Sequence, residues 1–308
     1  MSTAPIIGDV ERAASLLQEG GLVAIPTETV YGLAADATDP VAIARVYQVK
    51  GRPTGHPLIV HVADPDDVLS LVDDLPEAAQ MLGAAAWPGP LTVIVPRPSS
   101  LPAAVAGGLD TVGIRVPAHP LARDLIRAAG VPVAAPSANL FGSVSPTAAE
   151  HVLADLGERL DTERDAILDG GPCDVGVEST IVDTVVFPPQ ILRAGAITAE
   201  QVAELVGSVA APSGPSRASG MLASHYAPDC TVHLADGAAQ AERLTDELPG
   251  ARILDARDGL VDVARNLYAD LRRADDDGVE HLIAILPPAA GLGHAIRDRL
   301  QKAAVPRP

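Results

Sequence analysis

"VERAASLLQEGGLVAIPTETVYGLA", residues 10–34, is the stretch on which the reading of the fold turns. Apolar residues recur at helical spacing from Val10 to Glu19, two glycines stop that helix, and a short apolar run follows from Leu22 to Ile25. A run that short after a helix stop reads as a strand, so the stretch is helix, then strand. Directly behind the strand, "PTETVYGLA" (26–34) supplies hydroxyls, a carboxylate and a glycine turn, at the strand end where α/β folds gather ligand groups. An ordinary loop with a helix cap accounts for the same residues.

Outward from there the alternation repeats. In "YQVKGRPTGHPLIVHV" (47–62) a helix over Pro40–Val49, apolar at Ile43, Val46 and Val49, runs through "KGRP" into the strand "PLIVHV". Further strands are expected at 91–95, 111–116, 131–136, 179–186 and 190–195, and further helices at Glu77–Ala86, Leu121–Ala129 and Thr147–Leu156. Some strand candidates follow one another with only a loop between them. The expectation is therefore α/β with a twisted, mixed open sheet flanked by helices, rather than a regular doubly wound sheet. "VGSVAAPSGPSR" (206–217) has the composition of a linker, and beyond it strands alternate with helices at 238–247, 261–274 and 294–303. The chain divides into residues 1–206, a linker over 207–230, and a small α/β unit over 231–308.

Composition limits what such a chain does. It is 47% hydrophobic but 2% aromatic, so the core is built from Ala, Val, Leu and Ile, and few rings are left for stacking bases. A formal charge of −18 repels a polyanion. Extended nucleic-acid binding is disfavoured, while a local basic pocket for one nucleotide stays open. Cys173 and Cys230 are isolated, without zinc spacing or a disulfide framework, which fits a reduced, cytoplasmic protein. No basic region precedes an apolar run at the N-terminus, and no segment approaches ~18 apolar residues, so neither export nor a membrane span is expected. GxxxxGK[ST], HExxH and GxSxG are absent, and "GLGHAI" from Gly291 lacks the third glycine of a dinucleotide fingerprint.

The polar residues at strand ends remain. Arginine outnumbers lysine twenty to two, yet Lys50 closes a helix two residues before Arg52. A cation there suits the helix dipole, but a compact ammonium also suits a point contact with a phosphate oxygen, and Arg52 a bidentate one. Arg115 in "TVGIRVP" alternates with apolar residues on a strand, so burial obliges it to meet a carboxylate, from the protein or from a ligand. "PSAN" (136–139) offers Ser137 and Asn139 as donors to phosphate or ribose, or forms an Asx-type turn. "VESTIVD" and "ILRAG" place Ser179, Thr180 and Arg193 at strand ends.

"PTETVYGLA", "KGRPTGHPLIVHV", "WPGPLTVIV", "VGIRVP", "PSAN" and "VESTIVD…ILRAG", in this order and spacing, resemble the YrdC-type family. "SGMLASHYAPD" (219–229) resembles the element joining the two domains of its longer members, the L-threonylcarbamoyladenylate synthases. The resemblance implies a YrdC-like catalytic domain, a linker closing over the site and a Rossmann-like C-terminal domain. It implies an enzyme that joins L-threonine, bicarbonate and ATP into threonylcarbamoyl-AMP and pyrophosphate, for N6-threonylcarbamoyladenosine beside the tRNA anticodon. It further implies that the product passes to a tRNA threonylcarbamoyl transferase complex. By the same resemblance Lys50 and Arg52 are the catalytic electrostatic groups. Thr29, His61, Arg115, Ala135 and Ser179 match threonine positions. Arg52, His56, Thr111, Ser137, Asn139, Ser145, Arg193 and Tyr226 match nucleotide positions. His56 stands where the family commonly has asparagine, and Ala135 acts only through backbone or packing. Mg2+ is expected with the triphosphate, with no protein ligand identified. The rival readings are a carbamoyl-adenylate-forming relative of hydrogenase maturation proteins and a YrdC-like RNA-binding or ribosome-assembly module without adenylate synthesis. The first sits within longer chains, and the acidic surface counts against the second.

Overall fold

The computed structural model describes residues 3–213, 218 and 225–305; "SGMLAS" (219–224) in the expected linker therefore lies outside the described residues. Ten strands form one sheet in the order β1 (Ile6–Ile7), β8 (Ala166–Leu168), β2 (Val23–Ile25), β3 (Gly32–Asp36), β7 (Val133–Ala134), β4 (Ile59–His61), β6 (Thr111–Arg115), β5 (Leu91–Pro96), β9 (Thr180–Asp183) and β10 (Gln190–Arg193). Parallel pairs (β4 with β6, β5 with β9) alternate with antiparallel ones (β2 with β3, β5 with β6), giving the mixed sheet that the sequence implied. Among the described residues seven helices accompany it: α1 (Val10–Gln18), α2 (Pro40–Lys50), α3 (Pro65–Leu71), α4 (Glu77–Ala86), α5 (Pro120–Ala129), α6 (Ala149–Leu156) and α7 (Ala199–Val206).

The two-residue period of a strand distributes these helices over both faces. Val23 and Ile25 pack with Leu16 and Leu17 of α1 and Leu125 and Ile126 of α5. Leu22 and Ala24 turn the other way, toward Ile43 and Val46 of α2 and Val152 and Leu156 of α6. α2 begins where the Asp39 side chain accepts from the Val41 amide at 2.8 Å with Pro40 in the first turn, and it ends at Lys50 with Gly51 as a left-handed cap. That end aims the chain of "KGRP" across the strand ends.

One reading of the sequence is corrected here. Gly32 does not make a turn; it opens β3. A Cβ at that position would sit 3.1 Å from the Ala135 side chain, so the glycine serves the close approach of two strands.

Beyond the linker, β11 (Thr231–Ala235), β13 (His281–Ile285) and β12 (Arg252–Asp255) form an all-parallel sheet with α8 (Ala238–Glu247), α9 (Leu260–Asp276) and α10 (Gly293–Ala303). Leu267, Tyr268 and Leu271 of α9 with Ile296 and Leu300 of α10 share one apolar cluster with Val30, Val144 and Val177 of the larger unit. Arg272 of α9 closes that seam with a bidentate pair to Asp155, at 2.9 and 2.8 Å. The small unit is thus packed against the strand ends that carry the polar motifs.

Candidate active site

β4 and β6 lie side by side in parallel with His61 opposite Arg115, so the register alone brings these two residues together. Arg115 donates from Nη2 to Glu28 Oε1 at 2.6 Å, from Nη1 to Thr29 Oγ1 at 2.9 Å and from Nε to the Gly89 carbonyl at 3.3 Å. The carboxylate its burial demanded is Glu28, whose other oxygen accepts from the Ala118 amide at 3.1 Å. Those bonds engage three of the five N–H donors of a guanidinium. Burial, with the charge of Arg115, pushes the His61 pKa down to about 3, so the ring is neutral near pH 7. Its Nδ1 lies 3.1 Å from the Ile59 carbonyl, which assigns the proton to Nδ1 and leaves Nε2 an acceptor. Thr27 donates to the Val30 carbonyl at 2.6 Å, leaving the Thr29 hydroxyl to donate to Thr27 at 2.9 Å while accepting from Arg115.

Two more buried cations stand in the same cleft. Arg193, at the end of β10, donates from Nε to the Ser179 carbonyl and from Nη2 to the Ser179 hydroxyl, both at 3.0 Å, and that hydroxyl lies 2.7 Å from Thr92 Oγ1. Gly195 permits this return: a Cβ there would meet the Glu178 carbonyl and the Thr180 nitrogen at 2.4 Å. Arg52 donates from Nη2 to the Pro57 carbonyl at 3.0 Å, with its guanidinium 5.7 Å from the centre of the Phe141 ring. Burial, with a smaller push from Arg193, lowers the Arg52 pKa to about 10, which leaves it cationic at neutral pH. Burial also lowers that of Arg193. Two like charges held together away from water favour an anionic guest.

Tyr226 and His225 close this end. Tyr226 is 1% exposed and takes a left-handed backbone with φ of 62°, a conformation that costs a bulky residue about 1–3 kcal/mol. Among the described residues its hydroxyl has no hydrogen-bond partner, nor does Nδ1 of His225, whose ring lies 4.1 Å away. Ala227 binds the Gly142 carbonyl through its amide at 3.0 Å, seating this segment on the loop after β7. The cavity so enclosed is small, about 40 Å3.

Of the residues singled out in the sequence, Thr29, Arg52, His61, Arg115, Ala135, Ser137, Ser179, Arg193 and Tyr226 line this cleft. Lys50, Asn139 and Ser145 form a layer behind it. The Lys50 ammonium, 2% exposed, donates to the carbonyls of Ser137 and Asn139, each at 2.5 Å. It therefore grips the "PSAN" loop from behind instead of entering the cleft. Burial, with Arg52 nearby, lowers its pKa well below the ordinary lysine range. Ser137 donates to Asn139 Oδ1 at 2.6 Å, Asn139 Nδ2 to the Ser143 carbonyl at 2.7 Å, and Ser145 to Glu178 at 2.7 Å. His56 lies at the rim with its ring 5.5 Å from that of Phe141. Thr111 opens β6, four residues and about 13 Å of strand from Arg115, outside the cleft wall.

The chain is similar to known proteins along nearly its whole length. The Sua5/YciO/YrdC model, described as telomere recombination, matches residues 15–195, and the threonylcarbamoyl-AMP synthase C-terminal domain model matches residues 197–305. The chain belongs to the Sua5/YciO/YrdC family. It is 39% identical to the threonylcarbamoyl-AMP synthase of Pyrococcus abyssi, over 96% of this chain and 93% of that protein. To the Bacillus subtilis enzyme of the same name it is 41% identical, over 96% and 92%. The crystal structure of P. abyssi Sua5 with L-threonine superposes with a TM-score of 0.90 at 36% identity, covering 96% of this chain and 94% of that one.

Within this member of the Sua5 family, motif reading left out Glu28, Thr92, Glu178 and His225. Glu28 and Glu178 stand inside quoted motifs, but their partners are 87 and 121 residues away, and only folding shows the pairing. Cys173 and Cys230 are free and buried. Among the described residues no cluster of three or more His, Cys, Asp or Glu is arranged to hold a metal ion, and no helix is long and apolar enough to cross a membrane.

Proposed function

We propose that this chain is an L-threonylcarbamoyladenylate synthase, forming threonylcarbamoyl-AMP and pyrophosphate from L-threonine, bicarbonate and ATP for N6-threonylcarbamoyladenosine in tRNA. The observation that carries this reading is one cleft with two unlike ends. At one, Arg115 keeps N–H donors beside a neutral His61; at the other, Arg52 and Arg193 both line the wall as buried cations.

In this reading the threonine carboxylate takes the remaining donors of Arg115, with Thr29, Ser179 and the His61 acceptor around its amine and hydroxyl and Ala135 as an apolar wall. The amine attacks bicarbonate and water leaves. The resulting carbamate oxygen attacks the α-phosphorus of ATP in line, and pyrophosphate departs. The protein supplies positioning and fixed positive charge, the two largest demands of such a transfer. Arg52 and Arg193 stabilise the phosphate charge, Ser137 and Tyr226 contact the nucleotide, and His56 edges its entry. Lys50, Asn139 and Ser145 position the loop that carries Ser137. Thr111 has the weakest claim to the nucleotide, since its strand end lies away from the cleft. The cleft's own carboxylate, Glu178, is engaged by Arg299, Tyr268 and Ser145, so Mg2+ arrives as part of the nucleotide substrate, neutralising the triphosphate. Residues 1–206 act as the catalytic domain, 207–230 as the element closing over it and 231–308 as the partner domain. The product passes to a tRNA threonylcarbamoyl transferase complex without strong direct tRNA binding by this acidic chain, and no membrane takes part.

The test is pyrophosphate release from ATP by the full chain. Release is expected only when threonine and bicarbonate are both present; release indifferent to either one contradicts the reading.

A further inference from the structure

The smaller unit reaches the cleft wall through Arg299 and Tyr268, both bonded to Glu178. Arg299, on α10, is 0% exposed, and its Nε donates to Glu178 Oε2 at 2.7 Å. Its Nη1 donates to Asp298 at 2.6 Å, and its guanidinium carbon lies 5.1 Å from the centre of the Tyr226 ring. Tyr268 of α9 donates to the same carboxylate at 2.8 Å, and Ser145 to its other oxygen at 2.7 Å. Lys302, the second of the chain's two lysines, lies 2.6 Å from the other oxygen of Asp298. Glu178 is itself part of the cleft wall and precedes Ser179.

Consider the charge that a polyanion meets. Arg52 and Arg193 present two positive charges to the cleft, while Glu178 presents one negative charge in the same wall. A buried carboxylate without its own counter-ion recruits a neighbouring cation, and the catalytic unit's cation whose charge acts on Glu178 is Arg193, now bonded to the adjoining Ser179. Such a pairing would cancel half of the positive charge in the cleft and draw Arg193 off Ser179. Arg299 prevents it. Burial pushes the Glu178 carboxyl up, but Arg299, Arg193 and the hydrogen bonds together hold it down at about 2, so it remains an anion in need of that partner.

We propose that Arg299 is a positioning residue for the nucleotide end of the cleft, a counter-ion lent by the C-terminal unit that occupies Glu178 and so keeps Arg193 in place on Ser179 in the cleft wall. The inference rests on the synthase reading above. It gives residues 231–308 a task in the reaction without any contact between that unit and the reacting atoms.

The experiment measures ATP affinity, KM for ATP, KM for threonine and kcat on the full chain carrying Arg299→Met, Glu178→Gln or both. Arg299→Met is expected to weaken ATP binding at least tenfold and to change the KM for threonine less. In the Glu178→Gln background, where no carboxylate charge needs an occupant, the same substitution is expected to cost less than threefold, and the double variant to regain most of the affinity lost by Arg299→Met. If Arg299→Met alone does not fold, the comparison of Glu178→Gln with the double variant decides. An equal tenfold loss there, or unchanged ATP affinity in a folded Arg299→Met chain, overturns the proposal. An unmodified chain that binds no ATP instead overturns the synthase reading itself.

Discussion

The two ends of the cleft differ in how their cations are balanced. Arg115 has its counter-ion in place: Glu28 neutralises it at 2.6 Å, a threonine hydroxyl and a carbonyl fill further donors, and a neutral histidine stands beside it. At the other end burial, with a smaller push from Arg193, lowers the pKa of Arg52, next to a tyrosine hydroxyl and a histidine nitrogen with no partner among the described residues. The first end is a finished polar network with a few open donors, suited to a small zwitterion. The second gathers two buried guanidinium groups and is suited to several negative charges. Folding holds the first together; the ligand is expected to complete the second.

Removing charge from the two ends should therefore have unlike consequences. The largest stability effect is expected for Arg115→Met, which strands the Glu28 carboxylate in the interior and should cost about 3–5 kcal/mol in chemical denaturation. Glu28→Gln combined with it should recover much of that loss. Lys50→Arg comes next. The pocket holds a compact ammonium between two carbonyls at 2.5 Å, and a wider planar cation overpacks it by about 1–3 kcal/mol while displacing the "PSAN" loop. A thermal melt with an ATP titration reads both effects, and normal values for both would return Lys50 to a plain helix-end charge.

pH probes the threonine end separately. The folded His61 pKa of about 3 lies below the ordinary 6.5, so the unfolded chain takes up a proton below pH 6.5 that the folded chain refuses until about pH 3. Stability contributed by neutral His61 is therefore present above pH 6.5 and lost as pH falls toward 3, about 2 kcal/mol by pH 5. His61→Asn should flatten the stability profile between pH 7 and pH 5 by about that amount; an unchanged slope would mean the ring is not held neutral. The smallest effect is expected away from both ends. Arg127→Ala breaks a largely exposed pair with Asp64, should cost under about 1 kcal/mol, and should leave both substrate KM values alone.

Much of this was legible in the sequence because it is local. Helix caps, glycine stops and short apolar runs located α2, β4, β5 and β6, and the polar motifs behind them did converge on one cleft. β8, with three residues, offered no periodicity, and "GLAAD" of β3, opened by a glycine and buried through its first four residues, looked like a turn. α3 and α7 were not foreseen either. Arg115 announced its need for a carboxylate but not that Glu28 supplies it. Lys50 drew attention by its rarity, and its contacts with carbonyls 87 and 89 residues away explain why motif reading aimed it at phosphate instead.

The central claim is that one cleft takes two substrates at two differently balanced ends, and crossed titrations test it most directly. Threonine and ATP are titrated calorimetrically into the unmodified chain, Arg115→Met and Arg193→Met. The account predicts that Arg115→Met loses threonine binding and keeps ATP within a few-fold, while Arg193→Met weakens ATP about 10- to 100-fold, as expected for charge-assisted hydrogen bonds, and spares threonine. Both substitutions acting on the same ligand, or neither acting on ATP, would contradict it.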